Sequence, residues 1–388
     1  FSDEGLTMTL SANWSYPTDI RFGAGRIAEL GECCKEAGIT RPLLVTDRGL
    51  ASLPITQDTL DLMEKAGLGR AMFSEVDPNP TEINMEAGRK VFLDGNHDGV
   101  IAFGGGSGLD LGKLLAFMAG QTRPVWDFED IGDWWKRADA DAIAPIIAVP
   151  TTAGTGSEVG RASVIVNSQS HVKKIIFHPR ILPSIVISDP ELTVGMPPFI
   201  TAGTGMDAFI HCFEAFCSPN FHPMSQGIAL EGMRLVKENL PRVYADAADI
   251  EARGQMLVAA AMGAVAFQKG LGATHAVSHS VGAIYNTHHG MTNAVVLPSV
   301  ITMNRPAIEN RVDDITRYLG IANGFDGFTQ FIMTLRESLG VPERLRDMGV
   351  GTDRIEEMTR MALEDPSAGG NPVKMTAENT RALFEACI

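Results

Sequence analysis

Two strings hold the residues best suited to chemistry, GMDAFIHCFEAF (205–216) and GATHAVSHSVGAIYNTHHGMTNA (272–294). In the first, Asp207 and His211 stand four apart in an apolar stretch that reads as helix, so their side chains share one face. The second carries His275, His279, His288 and His289 among small apolar neighbours such as Ala273, Ala276, Val277 and Gly282. Little nearby competes for the imidazole nitrogens, so a metal or another imidazole must satisfy them. A carboxylate and imidazoles converging on one point make a mixed oxygen and nitrogen ligand set for a divalent ion. Spacing alone does not decide whether His275 works with His279, as an i, i+4 chelate, or with His289. His97, His171, His178 and His222 lack such company and are expected to be satisfied core residues.

A second kind of chemistry is written in glycines. Gly104-Gly-Gly-Ser-Gly-Leu-Asp-Leu-Gly-Lys113 follows a β-rich run and leads into a helical pattern. Glycines there let backbone N–H groups approach a phosphate, and the helix N-terminus adds its positive end. The string matches neither standard phosphate motif: Leu109 or Leu111 replaces the third glycine of GxGxxG, and Ser107 replaces the first glycine of a P-loop. A second polar turn, Val149-Pro-Thr-Thr-Ala-Gly-Thr-Gly-Ser-Glu158, follows the next β-rich run, on the edge where open α/β sheets bind ligands. Asp47, at the end of the run Leu43–Thr46, is placed to accept from an adenosine ribose and would repel a 2′-phosphate, which favours NAD over NADP. Metal ligands together with a dinucleotide cradle imply dehydrogenase chemistry.

The elements that must position these groups divide the chain. Short β-rich runs at Pro42–Thr46, Ala71–Val76, Gly99–Phe103, Ile143–Val149 and Ile181–Ser188 alternate with helical patterns at Arg26–Ala37, Thr56–Ala66, Thr81–Leu93 and Leu109–Met118. The runs are nearly continuous in Val, Ile and Leu, as expected of parallel strands covered on both faces. Thr81, after the breaker Asp77-Pro-Asn-Pro80, is the expected N-cap of its helix. Beyond Asp189-Pro190 only helical periods remain. The expected architecture is an α/β dinucleotide-binding domain over 1–189, built on a parallel sheet, and an all-helical metal-binding and substrate domain over 190–388. Ligands would bind in the cleft between them.

Composition bounds the partners. At 388 residues the chain is long enough for two such domains. A net charge of -15 is the wrong sign for binding nucleic acid or an anionic membrane. The longest apolar run, around Met256–Phe267, is too short to span a bilayer and reads as a buried helix. Five cysteines at irregular spacing (Cys33, Cys34, Cys212, Cys217, Cys387) suggest reduced thiols rather than disulfides or a zinc knuckle. Cys212 is expected to pack in the core and not to join His211 as a ligand. The opening FSDEGLTM shows no signal-peptide pattern, so a cytoplasmic location is expected.

The strings GGGSGLDLGK, PTTAGTGSEV, GMDAFIHCFEA and THAVSHSVGAIYNTHHGMTNAVVLP, in this order and spacing, resemble the characteristic segments of the iron-containing (group III) alcohol dehydrogenase family over nearly the full length. That resemblance implies a dehydroquinate-synthase-like architecture and the metal ligands Asp207, His211, His275 and His289, with iron the implied metal and zinc used by relatives. It implies that His279 faces substrate and passes a proton. It carries the family's NAD contacts to Asp47, Asn79, Gly105, Gly106, Ser107, Asp110, Thr151, Thr152, Thr155, Val164 and Lys174. His288, Ser280 and Gly160 depart from the usual Pro, Pro and Thr, and His288 leaves open which of the adjacent histidines is the ligand.

The expected reaction moves hydride between a small alcohol or aldehyde and NAD, with the metal polarising the substrate oxygen. A polyol dehydrogenase of the glycerol type is an alternative on the same fold. So is a dehydroquinate-synthase-like cyclase, which must hold a phosphorylated substrate with clustered basic residues. The helical half supplies only Arg234, Lys237, Arg242, Arg253 and Lys269 between 190 and 300, none in the metal strings. A non-catalytic nucleotide-binding protein is a third reading. The family likeness also makes a homodimer the expectation, with Leu6–Phe22 pairing with a partner chain.

Overall fold

The computed structural model describes residues 11–14, 16–170 and 172–388. The first half is an open seven-stranded sheet in the order β1-β2-β9-β6-β5-β3-β4. Its strands are β1 (Ser11–Trp14), β2 (Asp19–Gly23), β3 (Pro42–Asp47), β4 (Met72–Val76), β5 (Gly99–Gly104), β6 (Ile146–Pro150) and β9 (Ile185–Ser188). All neighbours are parallel except β1, which runs antiparallel to β2. Every residue of β5, β6 and β9 is buried, as continuous Val/Ile/Ala runs require when helices cover both faces. The covering helices are α1 (Leu30–Glu36), α2 (Pro54–Lys65), α3 (Glu82–Asp94) and α4 (Gly106–Met118). Thr81 stands at the N-cap of α3, where Asn84 Oδ1 accepts from its backbone N–H at 2.9 Å.

Three local expectations need correction. The predicted helix over 26–37 is a single 3-10 turn, Arg26–Glu29, followed by α1, because Gly25 in the left-handed region starts the chain in a tight turn. The predicted strands at 143 and 181 start later, at Ile146 and Ile185, each after an irregular or turned lead-in. A separate antiparallel hairpin, β7 (Ala162–Val166) with β8 (Lys173–Phe177), was not expected at all. The described part of the N-terminal stretch, β1 and β2, pairs within its own chain, β2 lying directly against β9. Residues 6–10 and His171 lie outside the described residues.

From Pro198 onward the chain is helical: α5 (Pro198–Cys217), α6 (Pro223–Ala245), α7 (Ile250–Ala266), α8 (Ala273–Tyr285), α9 (His289–Leu319), α10 (Gly324–Ser338), α11 (Ile355–Glu364) and α12 (Ala377–Cys387). The core of this half is centred on α5, which is buried from Gly205 through Cys217 and packs against α6, α7 and α9. Ile250–Lys269 has the length and composition to cross a bilayer, longer than the run read from sequence because Arg253 and Glu251 interrupt only its first turn. Here it packs against α5 and α6, with Arg253 buried and donating to Ala247 O and Thr201 Oγ1.

Candidate metal centre and dinucleotide edge

Three helices bring the metal-ligating side chains together. Asp207 and His211 project from the middle of α5, His275 from the first turn of α8, and His289 from the first residue of α9. Asn286 takes the left-handed conformation that ends α8, and three residues later the chain starts α9, folded back toward α5. That return is close: a Cβ on Gly290 would lie 2.1 Å from the carbonyl oxygen of Gly203, so the α5 and α9 backbones meet there. His289 is thereby delivered to Asp207.

Asp207 Oδ1 lies 3.5 Å from His289 Nε2, 3.6 Å from His275 Nε2 and 3.8 Å from His211 Nε2. These separations exceed hydrogen-bond length. They match the edge of a tetrahedral ligand set, which for bonds of about 2.1 Å is about 3.4 Å. Asp207, His275 and His289 form a trio with all ligand atoms within 4.8 Å. His211 stands beside it, its ring stacked on His275 with centroids 4.7 Å apart. The donor set therefore fits a divalent ion. His288 turns away: its Nδ1 accepts from Met291 N to cap α9, and its ring packs edge-on against Phe199. His279 Nδ1 is 2.9 Å from Asp365 Oδ2 and does not join the trio.

Two of the three rings are held from behind. His275 Nδ1 lies 2.7 Å from Glu214 Oε2, and His289 Nδ1 lies 3.0 Å from Ser278 Oγ. His211 Nδ1 is buried without a well-formed hydrogen bond, close to the backbone of Gly154. Asn293, one turn after His289, points its Nδ2 at Asp207 Oδ1 (2.8 Å), His289 Nε2 (3.1 Å) and His275 Nε2 (3.3 Å).

Electrostatics favour metal binding. Burial would raise the Asp207 pKa, but the surrounding imidazoles hold it well below the usual carboxylate range. Burial pushes His211 down to about 4 against the pull of Asp207, and it also lowers His289 well below its ordinary value. Both rings thus present free nitrogens near neutral pH. Burial would lower His275 too, but Asp207 and Glu214 outweigh it and raise it to about 9. A metal that takes His275 Nε2 must displace a proton there.

Most of the residues expected to hold a dinucleotide gather at the carboxyl edge of four adjacent strands, β6, β5, β3 and β4, whereas Val164 and Lys174 lie on the separate β7–β8 hairpin. The glycine string is itself the start of α4, three residues earlier than its apolar pattern suggested. Gly104 has φ +142, and Gly105 and Gly106 face the second turn so closely that Cβ atoms there would lie 3.1 and 2.7 Å from Thr152 and Thr155. Thr151 N donates to Gly104 O at 3.0 Å, tying the two turns together. Asp110 accepts from Ser157 Oγ (2.5 Å) and Val164 N (3.3 Å) and pairs with the buried Lys113 at 3.2 Å, so it braces the cradle. Ser107 Oγ donates to Pro78 O at 2.6 Å. Asp47 Oδ1 caps its own loop, accepting from Gly49 N and Leu50 N. Asn79 Nδ2 donates to Asn286 Oδ1 at 2.7 Å, linking the sheet edge to the end of α8.

Lys174 on β8 pairs with Glu129 at 2.5 Å and lies over Trp126. Its neighbour Lys173 alternates to the other face, within electrostatic reach of Asp110, Asp365, Asp207 and His289. A cleft of about 170 Å³ between β8 and the helical half is lined by both lysines, Glu129, His279, Met361 and Asp365. None of Arg234, Lys237, Arg242, Arg253 or Lys269 lines it.

The sequence reading missed Glu214, Asn293, Asp365 and Lys173. Glu214 lies seven residues after Asp207, on the same face of α5, and Asn293 four after His289, so helical spacing carried a signal for both. No local signal ties Asp365 to His279, 86 residues away. Of the histidines given a core reading, His178 is buried, whereas His222 is only partly buried and caps α6 by accepting from Ser225 N.

Comparison with known proteins places the chain. The model of iron-containing alcohol dehydrogenase matches residues 17–190, and that of the C-terminal part of the Fe-containing alcohol dehydrogenase family matches residues 201–388. A 4-hydroxybutyrate dehydrogenase of Cupriavidus necator is 38% identical over 95% of this chain and 98% of its own. An NAD-dependent methanol dehydrogenase of Bacillus methanolicus is 32% identical over 96% of this chain and 99% of its own. The crystal structure of a 1,3-propanediol oxidoreductase superposes with a TM-score of 0.91 at 34% identity, covering 98% of this chain and all of the other.

Proposed function

The chain belongs to the iron-containing alcohol dehydrogenase family, and on that premise we propose that it transfers hydride between a small primary alcohol or its aldehyde and NAD at the cleft between its two domains. The observation that carries this reading is the convergence of Asp207, His275 and His289, with His211 beside them, next to the glycine-rich sheet edge. Asp207, His211, His275 and His289 would hold the metal, which supplies Lewis-acid polarisation of the substrate oxygen. Iron is the metal we propose, on the family's chemistry; the donor set is also suited to zinc.

The chain's own residues do the rest. The first-turn amides of α4 and the Gly104–Gly106 string face the edge where a pyrophosphate would sit, with Thr152 and Thr155 packed behind. Asp47, at the end of β3, keeps its second carboxylate oxygen for a ribose, and its charge disfavours a 2′-phosphate. His279, fixed through Nδ1 by Asp365, lines the cleft, and in this reading its Nε2 takes the alcohol proton on oxidation and returns it on reduction.

We read residues 1–189 as the dinucleotide domain and 190–388 as the metal domain, supported by the last strand ending at Ser188 and by family models that meet between 190 and 201. We also read the protein as a cytoplasmic homodimer without nucleic-acid or membrane partners. Five unpaired, buried cysteines support the location and the charge of -15 the absence of those partners, while the dimer rests on the family likeness alone. Assaying NAD reduction with methanol, 1,3-propanediol and 4-hydroxybutyrate tests the substrate class. Turnover of at least one small alcohol is expected, and turnover only with NADP or with none of the three would overturn it.

A further inference from the structure

Glu214 sits two turns after Asp207 on α5 and is 4% exposed, yet its carboxylate serves a different helix. Oε2 accepts from Gly272 N at 2.9 Å and meets His275 Nδ1 at 2.7 Å; Oε1 accepts from Thr274 N at 2.7 Å. All three partners belong to the entry of α8. An ionised carboxylate only accepts hydrogen bonds, so the short contact fixes a proton on Nδ1. That leaves Nε2, 3.6 Å from Asp207 Oδ1, as the nitrogen available to a metal.

We propose that Glu214 is the positioning residue of the metal centre: one buried carboxylate both closes the N-terminus of α8 and sets the tautomer and ring plane of His275. The start of α8 and the affinity for metal are thereby coupled. Among the three imidazoles around Asp207, His275 is the one with an anionic partner behind it; His289 has the Ser278 hydroxyl and His211 has no well-formed bond. Helix N-termini favour negative charge, so the same carboxylate is stabilised by the α8 amides while it orders the ring. This inference rests on the metal reading above.

Glu214→Gln tests it with almost no change of shape. A glutamine has one acceptor oxygen and one donor NH2 where the site offers three N–H groups. Either orientation sets donor against donor, and with NH2 toward His275 the ring is driven to the tautomer with its proton on Nε2. The Zn(II) dissociation constant is measured on the metal-stripped full chain by chelator competition, alongside its melting temperature and NADH affinity. We expect Zn(II) binding to weaken about 10–100-fold, Glu214→Asp to recover part of the loss, and NADH affinity to stay within about twofold.

A lower melting temperature with Zn(II) affinity within about twofold of wild type would reduce Glu214 to a helix cap and overturn the proposal. Wild-type protein that takes up no Zn(II) would instead sink the metal reading itself. If Glu214→Gln does not fold, nitrogen NMR of the zinc-loaded, histidine-labelled wild type decides the matter. His275 bound through Nε2 with a proton on Nδ1 supports the proposal, and His275 bound through Nδ1 overturns it.

Discussion

His279 Nδ1 and Asp365 Oδ2 lie 2.9 Å apart and join α8 to the turn that follows α11. Burial would raise the Asp365 carboxyl, but the facing imidazole outweighs it and brings the pKa down to about 2. Asp365 is therefore ionised throughout the working range and orients His279 while its other oxygen accepts from Ser367 N at 2.8 Å. Asp365→Asn should lower kcat about 10–100-fold, part of the 10²–10⁴ that a positioned proton-transfer group contributes. Metal content and NADH affinity should hold. Unchanged steady-state rates across pH 6–9, a window of roughly neutral conditions, would remove the pair from the proton path.

Glu158 gives stability a pH signature. Burial, opposed in part by Lys113, raises its pKa from 4.5 to about 7. A carboxyl whose folded pKa is raised favours the folded state most when protonated. Its contribution is fully present below the unfolded pKa and is lost as pH rises through about 7. At one pKa unit per 1.36 kcal/mol, the loss is on the order of 3 kcal/mol. Glu158→Gln should remove it, so the variant gains on wild type in urea midpoint between acid and mildly alkaline pH. Parallel midpoint curves for the two proteins would show that Glu158 does not titrate in this window.

The Gly290–Gly203 approach predicts a coupled loss. Gly290→Ala puts a Cβ where only 2.1 Å separates it from a backbone oxygen, so α9 must move off α5. Overpacking of this kind costs about 1–3 kcal/mol. Because His289 immediately precedes Gly290, the melting temperature and the bound-metal stoichiometry should fall together. A fully loaded, destabilised variant would separate the helix crossing from the metal centre.

Asp47→Ala should narrow the preference for NAD over NADP, since it removes the charge that would face a 2′-phosphate. Part of its effect should be loss of the Gly49 and Leu50 cap, seen as a modest drop in stability. The ratio of kcat/KM values for the two cofactors is the check, and an unchanged ratio would leave Asp47 a loop cap only.

Legibility in the sequence followed the range of each interaction. The alternation of Val/Ile runs with helical periods was readable because parallel strands buried on both faces need it, and β5 and β6 obey it at every position. The Asp207–His211 face was readable from one helix. Choosing His289 over His288 was not, because both sit at a helix start and the choice depends on where α9 meets α5. The glycines before Leu109 read as loop, yet they form the first turn of α4, where close contact with Thr152 and Thr155 overrides their poor helix propensity. The β7–β8 hairpin was hidden by its short strands and polar connection, and with it the alternation that turns Lys173 and Lys174 to opposite faces. Contacts such as Asn79–Asn286, 207 residues apart, leave no local trace.

The central claim is that Asp207 and its imidazoles serve a metal that the reaction needs. The most direct test strips the protein of metal and follows NADH oxidation by small aldehydes anaerobically, with and without added Fe(II). The account predicts oxidation only when metal is restored, and none in His275→Ala under the same conditions while NADH still binds. Full activity in the stripped protein, or in His275→Ala, would contradict it.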